Sequence, residues 1–226
     1  MSENRHEREL DTAVAAATAA GRVVRDMYDR AAAATYEKAD GSPVTDADLA
    51  ADRVIRDVLA ERFPDDPILT EEGADDPTRL ASDRCWVVDP IDGTDQFVRR
   101  TGEFDVLVAL VAGGRPVVAA GYQPVAGLLC AAARHLGAWT RRDGEAERVP
   151  IRFEPVAAEA PPRLATSVWF GAPGNLDLLS RVARRLEAAA PEVDATGFSP
   201  RLFLPPRPHD AMVGIKPGSD GSMAWE

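Results

Sequence analysis

The feature that most limits the fold is a change of hydrophobic period near residue 64. Before it, apolar residues recur at helical spacing. Leu10, Val14, Ala17, Val24 and Met27 share one face of an alanine-rich stretch, which predicts a helix from Leu10 to about Arg30. Ile55, Val58, Leu59 and Phe63 form the face of a second helix. Thr45 is its N-cap, with Asp48 three residues on in capping-box fashion. "FPDDP" ends that helix, and short apolar runs bounded by turn residues follow. "PILT" and "CWVVD" read as buried strands. "DVLVALV", "RPVVAAGY", "GLLCAAA" and "GAWTRRDG" read as an antiparallel meander with short connections. Helices followed by a meander predict a layered α+β fold rather than a doubly wound parallel sheet.

Between the two helices, "TYEKADGSPV" (Thr35 to Val44) reads as a polar loop containing Gly and Pro. "EPVAAEAPPR" (Glu154 to Arg163) reads as a boundary. The expected organisation is an N-terminal α+β domain over 1–150 and a smaller α/β domain over 151–226. The second holds a strand in "LATSVWF", a helix from Leu176 to about Ala189, and strands around Leu202 and Ala211. No internal repeat is visible.

With 226 residues, 45% of them hydrophobic, the chain can bury a substantial core in one large domain or two packed ones. Its formal net charge of -11 argues against a nucleic-acid polymer or an anionic membrane as partner, since both need Lys and Arg. A small phosphate ligand stays open, because a metal could supply positive charge locally. No apolar run approaches the ~20 residues of a membrane span, and the charged start "MSENRHERELD" does not read as a secretory signal. Cys85 and Cys130 lie in apolar segments without metal-ligand spacing, as reduced core thiols would. A cytoplasmic location is expected.

The chemistry concentrates in "CWVVDPIDGTDQF" (Cys85 to Phe97), where an apolar strand runs into two carboxylates. Asp89, the Ile91 carbonyl and Asp92 lie within one turn. Pro90 has no N–H to satisfy, and Gly93 permits a tight turn and close approach of a ligand. Taken alone, Asp89 and Asp92 read as an ordinary acidic turn. They are not alone. "ILTEEG" puts Glu71 and Glu72 at another strand end, and Asp48 lies in the first turn of a helix. Adjacent carboxylates repel unless a cation joins them, and a hard divalent ion such as Mg²⁺ takes oxygen ligands. The combined pattern favours a multi-metal site.

"WVVDPIDGT", "ILTEEG" and "SPVTDADLAAD" together resemble three motifs of the inositol monophosphatase family of Mg²⁺-dependent, lithium-sensitive phosphatases. "EKADGSPVTDAD", "LTEEGADD" and "GEFDVLVALV" are most similar to its CysQ-type branch of 3'(2'),5'-bisphosphate nucleotidases. The resemblance runs from about residue 10 to 140 and is weak from 150 to 226. It implies a layered α/β/α/β sandwich of the inositol monophosphatase and fructose bisphosphatase type. It also implies two or three Mg²⁺ ions and inhibition by Li⁺. Glu71, Asp89 and the Ile91 carbonyl would hold a first metal. Asp89 would bridge to a second, with Asp92 as a further ligand. Asp92, Gly93 and Thr94 would face phosphate, and Asp48 and Thr94 would orient the attacking water with Glu71 nearby. The implied partner is a small phosphorylated metabolite, handled by a monomer or homodimer.

Members of the family carry a W-D motif near the C-terminus, followed by further strand and helix. Here "GSMAWE" ends the sequence. The expectation is either that Glu226 is the last ligand or that an aspartate lies just beyond it, with the C-terminal part incomplete. "TGFSPRLFLPPRPHD" stands where a Gly-Ser-rich segment is usual. The leading reading is removal of the 3'-phosphate from adenosine 3',5'-bisphosphate. The alternatives are inositol 1-phosphate or histidinol phosphate as substrate, and a non-catalytic relative lacking the last ligand. His6, His135 and His209 match no family position, Lys38 reads as a solvated loop lysine in preference to one that gates the site or contacts substrate, and Trp86 reads as core.

Overall fold

The first helix, α1 (Glu7–Arg30), begins three residues before its apolar pattern does, with Glu7 and Glu9 in the first turn where the helix dipole favours acids. The computed structural model describes residues 6–38 and 43–152. Beyond them it describes 164–166, 181, 184–185, 192–193, 211–213, 215–217 and 223–225. The chain divides into two units, Met1–Ile151 and Arg152–Glu226.

The buried face of α1 is built from small residues, Ala13, Ala16, Ala17, Ala20 and Gly21, flanked by Leu10 and Val24. Gly21 is required by close approach, since a Cβ there would lie 2.2 Å from the Tyr122 ring. The helix ends where Ala31 turns left-handed (φ 50°) and its N–H meets the last-turn carbonyls.

The stretch expected to be a loop is partly paired. Strands β1 (Thr35–Glu37) and β2 (Pro43–Thr45) form an antiparallel ladder. The signal was hidden because β1 is exposed along its whole length and shows no apolar alternation. Helix α2 (Asp46–Arg62) has the full capping box. Thr45 Oγ1 accepts from the Asp48 N–H, and the Asp48 carboxylate accepts from the Thr45 N–H. Ala47, Ala51, Ile55 and Leu59 form its buried stripe.

Seven strands then form one sheet in the order β3 (Ile68–Thr70), β4 (Arg84–Asp92), β5 (Asp105–Ala112), β6 (Arg115–Gln123), β7 (Leu128–Ala133), β8 (Gly137–Arg142) and β9 (Val149–Pro150). From β4 onward every pair is antiparallel, as expected of a meander. The exception is β3, which pairs parallel to β4. Pattern alone could not reveal that direction. Trp86, Val88, Val106, Val108, Leu110, Val118, Ala120, Leu129 and Ala131 are buried in one core cluster with the α1 and α2 stripes. A short helix, α3 (Thr94–Val98), follows β4 directly.

In the second unit, β10 (Leu164–Thr166) lies between β11 (Glu192–Val193) and β12 (Ala211–Val213), both parallel to it. β13 (Ile215–Pro217) and β14 (Met223–Trp225) form an antiparallel pair. The strands read at "LATSVWF" and around Ala211 correspond to β10 and β12. Leu202, His209, most of the 176–189 helix and Glu226 lie outside the described residues. Both cysteines are free. Among the described residues no helix is long and apolar enough to cross a membrane.

Candidate metal and phosphate site

β4 is an apolar strand up to Val88. Its register against β5 then breaks between Asp89 and Asp92. The irregularity falls at Pro90, which has no N–H for a ladder. Within it the Ile91 N–H donates to Asp89 Oδ1 at 3.1 Å, holding that carboxylate in place. Gly93 follows with φ +93°, and a Cβ there would sit 3.2 Å from the Glu103 carbonyl oxygen. Glycine is therefore needed twice over, for the left-handed backbone and for the close approach. The turn delivers Thr94 to the start of α3.

Thr94 Oγ1 lies 3.2 Å from Asp48 Oδ1 and 3.1 Å from the Ile91 carbonyl oxygen. A hydroxyl has one proton, so Thr94 donates to one of these acceptors at a time and keeps lone pairs for another donor. Asp48 is fully buried. Its Oδ2 accepts from the Thr45 N–H at 2.8 Å and from the Thr45 hydroxyl at 2.5 Å. Burial pushes Asp48 above its usual pKa, and the hydrogen bonds from Thr45 and Thr94 pull it back. The capping and site readings of Asp48 are thus compatible: Oδ2 serves the cap while Oδ1 faces Thr94.

Glu71 leaves the end of β3, its N–H donating to the Val88 carbonyl at 3.3 Å, which sets it beside the acidic end of β4. Burial, followed by the neighbouring Glu71 and Asp92 carboxylates, raises Asp89 well above the ordinary carboxylate range. The Ile91 N–H opposes that shift. This is the electrostatic signature of like charges gathered on one strand end.

Lys38 supplies a cation at the end of β3. Its Nζ lies 2.7 Å from Glu71 Oε1 and 2.9 Å from Glu72 Oε1. Burial disfavours its charge, but those hydrogen bonds outweigh burial and push it up to about 12. The Glu72 side chain is only 5% exposed. Burial raises its pKa, and Lys38 pulls it back. Among the described residues no three acidic, His or Cys side chains stand as a formed metal cage.

The structure therefore joins Asp48, Thr94 and the Ile91 carbonyl directly, and sets Glu71 and Asp92 within electrostatic reach of Asp89. Trp86 is buried as expected, and His135 is exposed in the turn before β8. The sequence reading missed the engagement of Lys38, which spans 33 and 34 positions and follows no local pattern. The donors are all oxygens, the set that suits a hard divalent cation and not a thiolate- or imidazole-seeking metal. By donor chemistry the residues present fit Mg²⁺.

The sequence profile of the inositol monophosphatase family matches residues 6–174. The 3'(2'),5'-bisphosphate nucleotidase CysQ of Escherichia coli (strain K12) is 40% identical over 147 residues, covering 63% of this chain and 58% of that protein. A histidinol-phosphatase of Chlorobaculum parvum is 34% identical over 131 residues, covering 58% of this chain and 50% of that protein. The match thus spans little more than half the length of these curated relatives. The crystal structure of CysQ from Bacteroides thetaiotaomicron superposes with a TM-score of 0.72 at 27% identity, covering 95% of this chain and 78% of that one. Profile, relatives and fold agree: the chain belongs to the inositol monophosphatase family.

Proposed function

We propose that this protein is a Mg²⁺-dependent phosphomonoesterase acting on a small phosphorylated metabolite in the cytoplasm, with the 3'-phosphate of adenosine 3',5'-bisphosphate as its leading substrate. The observation that carries this reading is the Asp48–Thr94–Ile91 hydrogen-bond set next to the Glu71, Asp89 and Asp92 carboxylates. The bisphosphate is favoured by the 40% identity to a CysQ nucleotidase.

Glu71, Asp89, Asp92 and the Ile91 carbonyl would hold Mg²⁺. When bound, Mg²⁺ lowers the pKa of water and offsets phosphate charge. Asp48 Oδ1 accepts the Thr94 proton, leaving the Thr94 oxygen free to accept a hydrogen bond from a water and so orient it. Gly93, lacking a side chain, leaves its backbone open to a phosphate oxygen. No protein nucleophile is needed, because water attacks phosphorus in line with the leaving oxygen. Inhibition by Li⁺ follows from the same reading.

The test is phosphate release with Mg²⁺ from adenosine 3',5'-bisphosphate, inositol 1-phosphate and histidinol phosphate. The bisphosphate is expected to have the highest kcat/KM. A higher value for histidinol phosphate would move the assignment toward the Chlorobaculum relative. Clean metal binding with no release from any of the three would leave a non-catalytic member of the family.

A further inference from the structure

We propose that Asp52 is a positioning residue for the Glu71–Glu72 strand end, acting through Thr70. The proposal rests on the metal-dependent reading of that site.

Asp52 lies one helical turn after Asp48 on α2, and Thr70 is the residue before Glu71 on β3. Asp52 Oδ1 accepts from the Thr70 hydroxyl at 2.6 Å. Asp52 Oδ2 accepts from Arg56 Nε at 2.9 Å. The Thr70 oxygen in turn accepts from the Glu72 N–H at 3.4 Å. The proton directions are fixed throughout, from the Glu72 N–H to the Thr70 hydroxyl to the Asp52 carboxylate, with Arg56 on the other oxygen. Thr70 is 6% exposed and the Asp52 side chain 14%, so water competes weakly. The far side is closed as well. A Cβ on Gly73 would lie 2.2 Å from Arg56 Nη2 and 2.8 Å from the Thr70 methyl, so Arg56 packs on the bare backbone of the "TEEG" turn.

The consequence is geometric. Asp48 comes from α2 and Glu71 from β3, two elements separated in sequence. Asp52, through Thr70, is a charge-assisted tie between them, and such ties are stronger than neutral ones. Partners that orient metal ligands typically change metal affinity by about 10–100-fold when removed. Asp52 touches no reacting group, so its effect must pass through Thr70.

The experiment measures Mn²⁺ affinity of the full chain by water-proton relaxation, with melting temperature as the folding control. Thr70→Val and Asp52→Ala are each expected to weaken Mn²⁺ binding by about tenfold. The double variant should be no weaker than either single one, because both break the same tie. Thr70→Ser, which keeps the hydroxyl, should bind like wild type. Asp52→Leu, which is close in size and offers no acceptor, replaces Asp52→Ala if the latter does not fold. Wild-type affinity in folded Thr70→Val and Asp52→Ala, multiplied losses in the double variant, or a Thr70→Ser as weak as Thr70→Val would each overturn the proposal. If the wild-type chain binds no Mn²⁺, this proposal and the metal-dependent reading fall together. If the variants lose Mn²⁺ as expected while the wild type releases no phosphate, the tie stands and only the phosphatase reading falls.

Discussion

β4 is two kinds of structure in one strand. From Trp86 to Val88 it belongs to the helix-covered core, where Trp86 is fully buried and Val88 3% exposed. From Asp89 to Asp92 it gathers carboxylates and breaks register with its neighbour. The first half is stabilised by burial of apolar surface. The carboxylates of the second half oppose stability, since like charges gather around Asp89, while Ile91 between them stays in the core. A marginally stable fold carries such an end only because the rest of the sheet holds it, and functional sites commonly sit in regions of this sort. The two halves should therefore respond to mutation in opposite ways.

The largest effect is expected from Asp89→Asn. It removes a carboxylate crowded by Glu71 and Asp92. Turnover should fall by about 10³-fold, the scale of losing a group that acts directly on transition-state charge. The metal-free protein should melt no lower than wild type. Near-normal turnover would refute the assigned role, and a large drop in melting temperature would show that the acidic end is structural.

Next comes the mirror experiment in the core. Leu110 is fully buried on β5, and Leu110→Ala should cost about 2–5 kcal/mol of unfolding free energy by leaving a cavity. Measured well below its melting temperature, kcat should be unchanged. A change in kcat would mean that the two halves are not separable.

Gly93→Ala tests the joint between them. The left-handed backbone costs a non-glycine residue about 1–2 kcal/mol, and the new methyl presses on the Glu103 carbonyl. A stability loss of about 1–2 kcal/mol is expected in urea unfolding, with a lower kcat as the shifted turn moves Thr94; unchanged values of both would show that the turn tolerates a side chain.

The smallest effect concerns Cys130 on β7. Burial, then nearby Asp105, pushes its thiol from 9.0 up to about 12. The folded state thus holds the proton that the unfolded chain releases first. The stabilising contribution is complete below pH 9 and is lost as the pH rises from about 9 to 12. Cys130→Ala should flatten that alkaline loss in pH-dependent unfolding while leaving neutral-pH turnover alone. An unchanged alkaline slope would contradict the assignment.

Much of this was legible in the primary structure, and the particular residues show why. α2 and its capping box were readable because Thr45 and Asp48 are three residues apart and interact through local backbone. The meander was readable because its turns are short and its strands apolar. The β1–β2 ladder was not, since exposed polar strands carry no periodic signal. Nor was the parallel direction of β3 against β4, which follows from the excursion of the chain between them rather than from either strand. The acidic motif at Asp89 to Thr94 marked the site, but its contacts with Asp48 and Lys38 cross long separations that no spacing rule covers.

The sequence by itself determined the element types, the placement of carboxylates at strand ends and the family to which they point, because each is written in local pattern and short motifs. Only the tertiary structure decided that the Thr94 hydroxyl lies within reach of both Asp48 and the Ile91 carbonyl. It alone showed that Lys38 pairs with both Glu71 and Glu72, and that Asp52 ties α2 to the strand before them. Those pairings depend on how α2 and β3 pack against β4, and hydrogen bonds of a few ångströms exist only once that packing is complete.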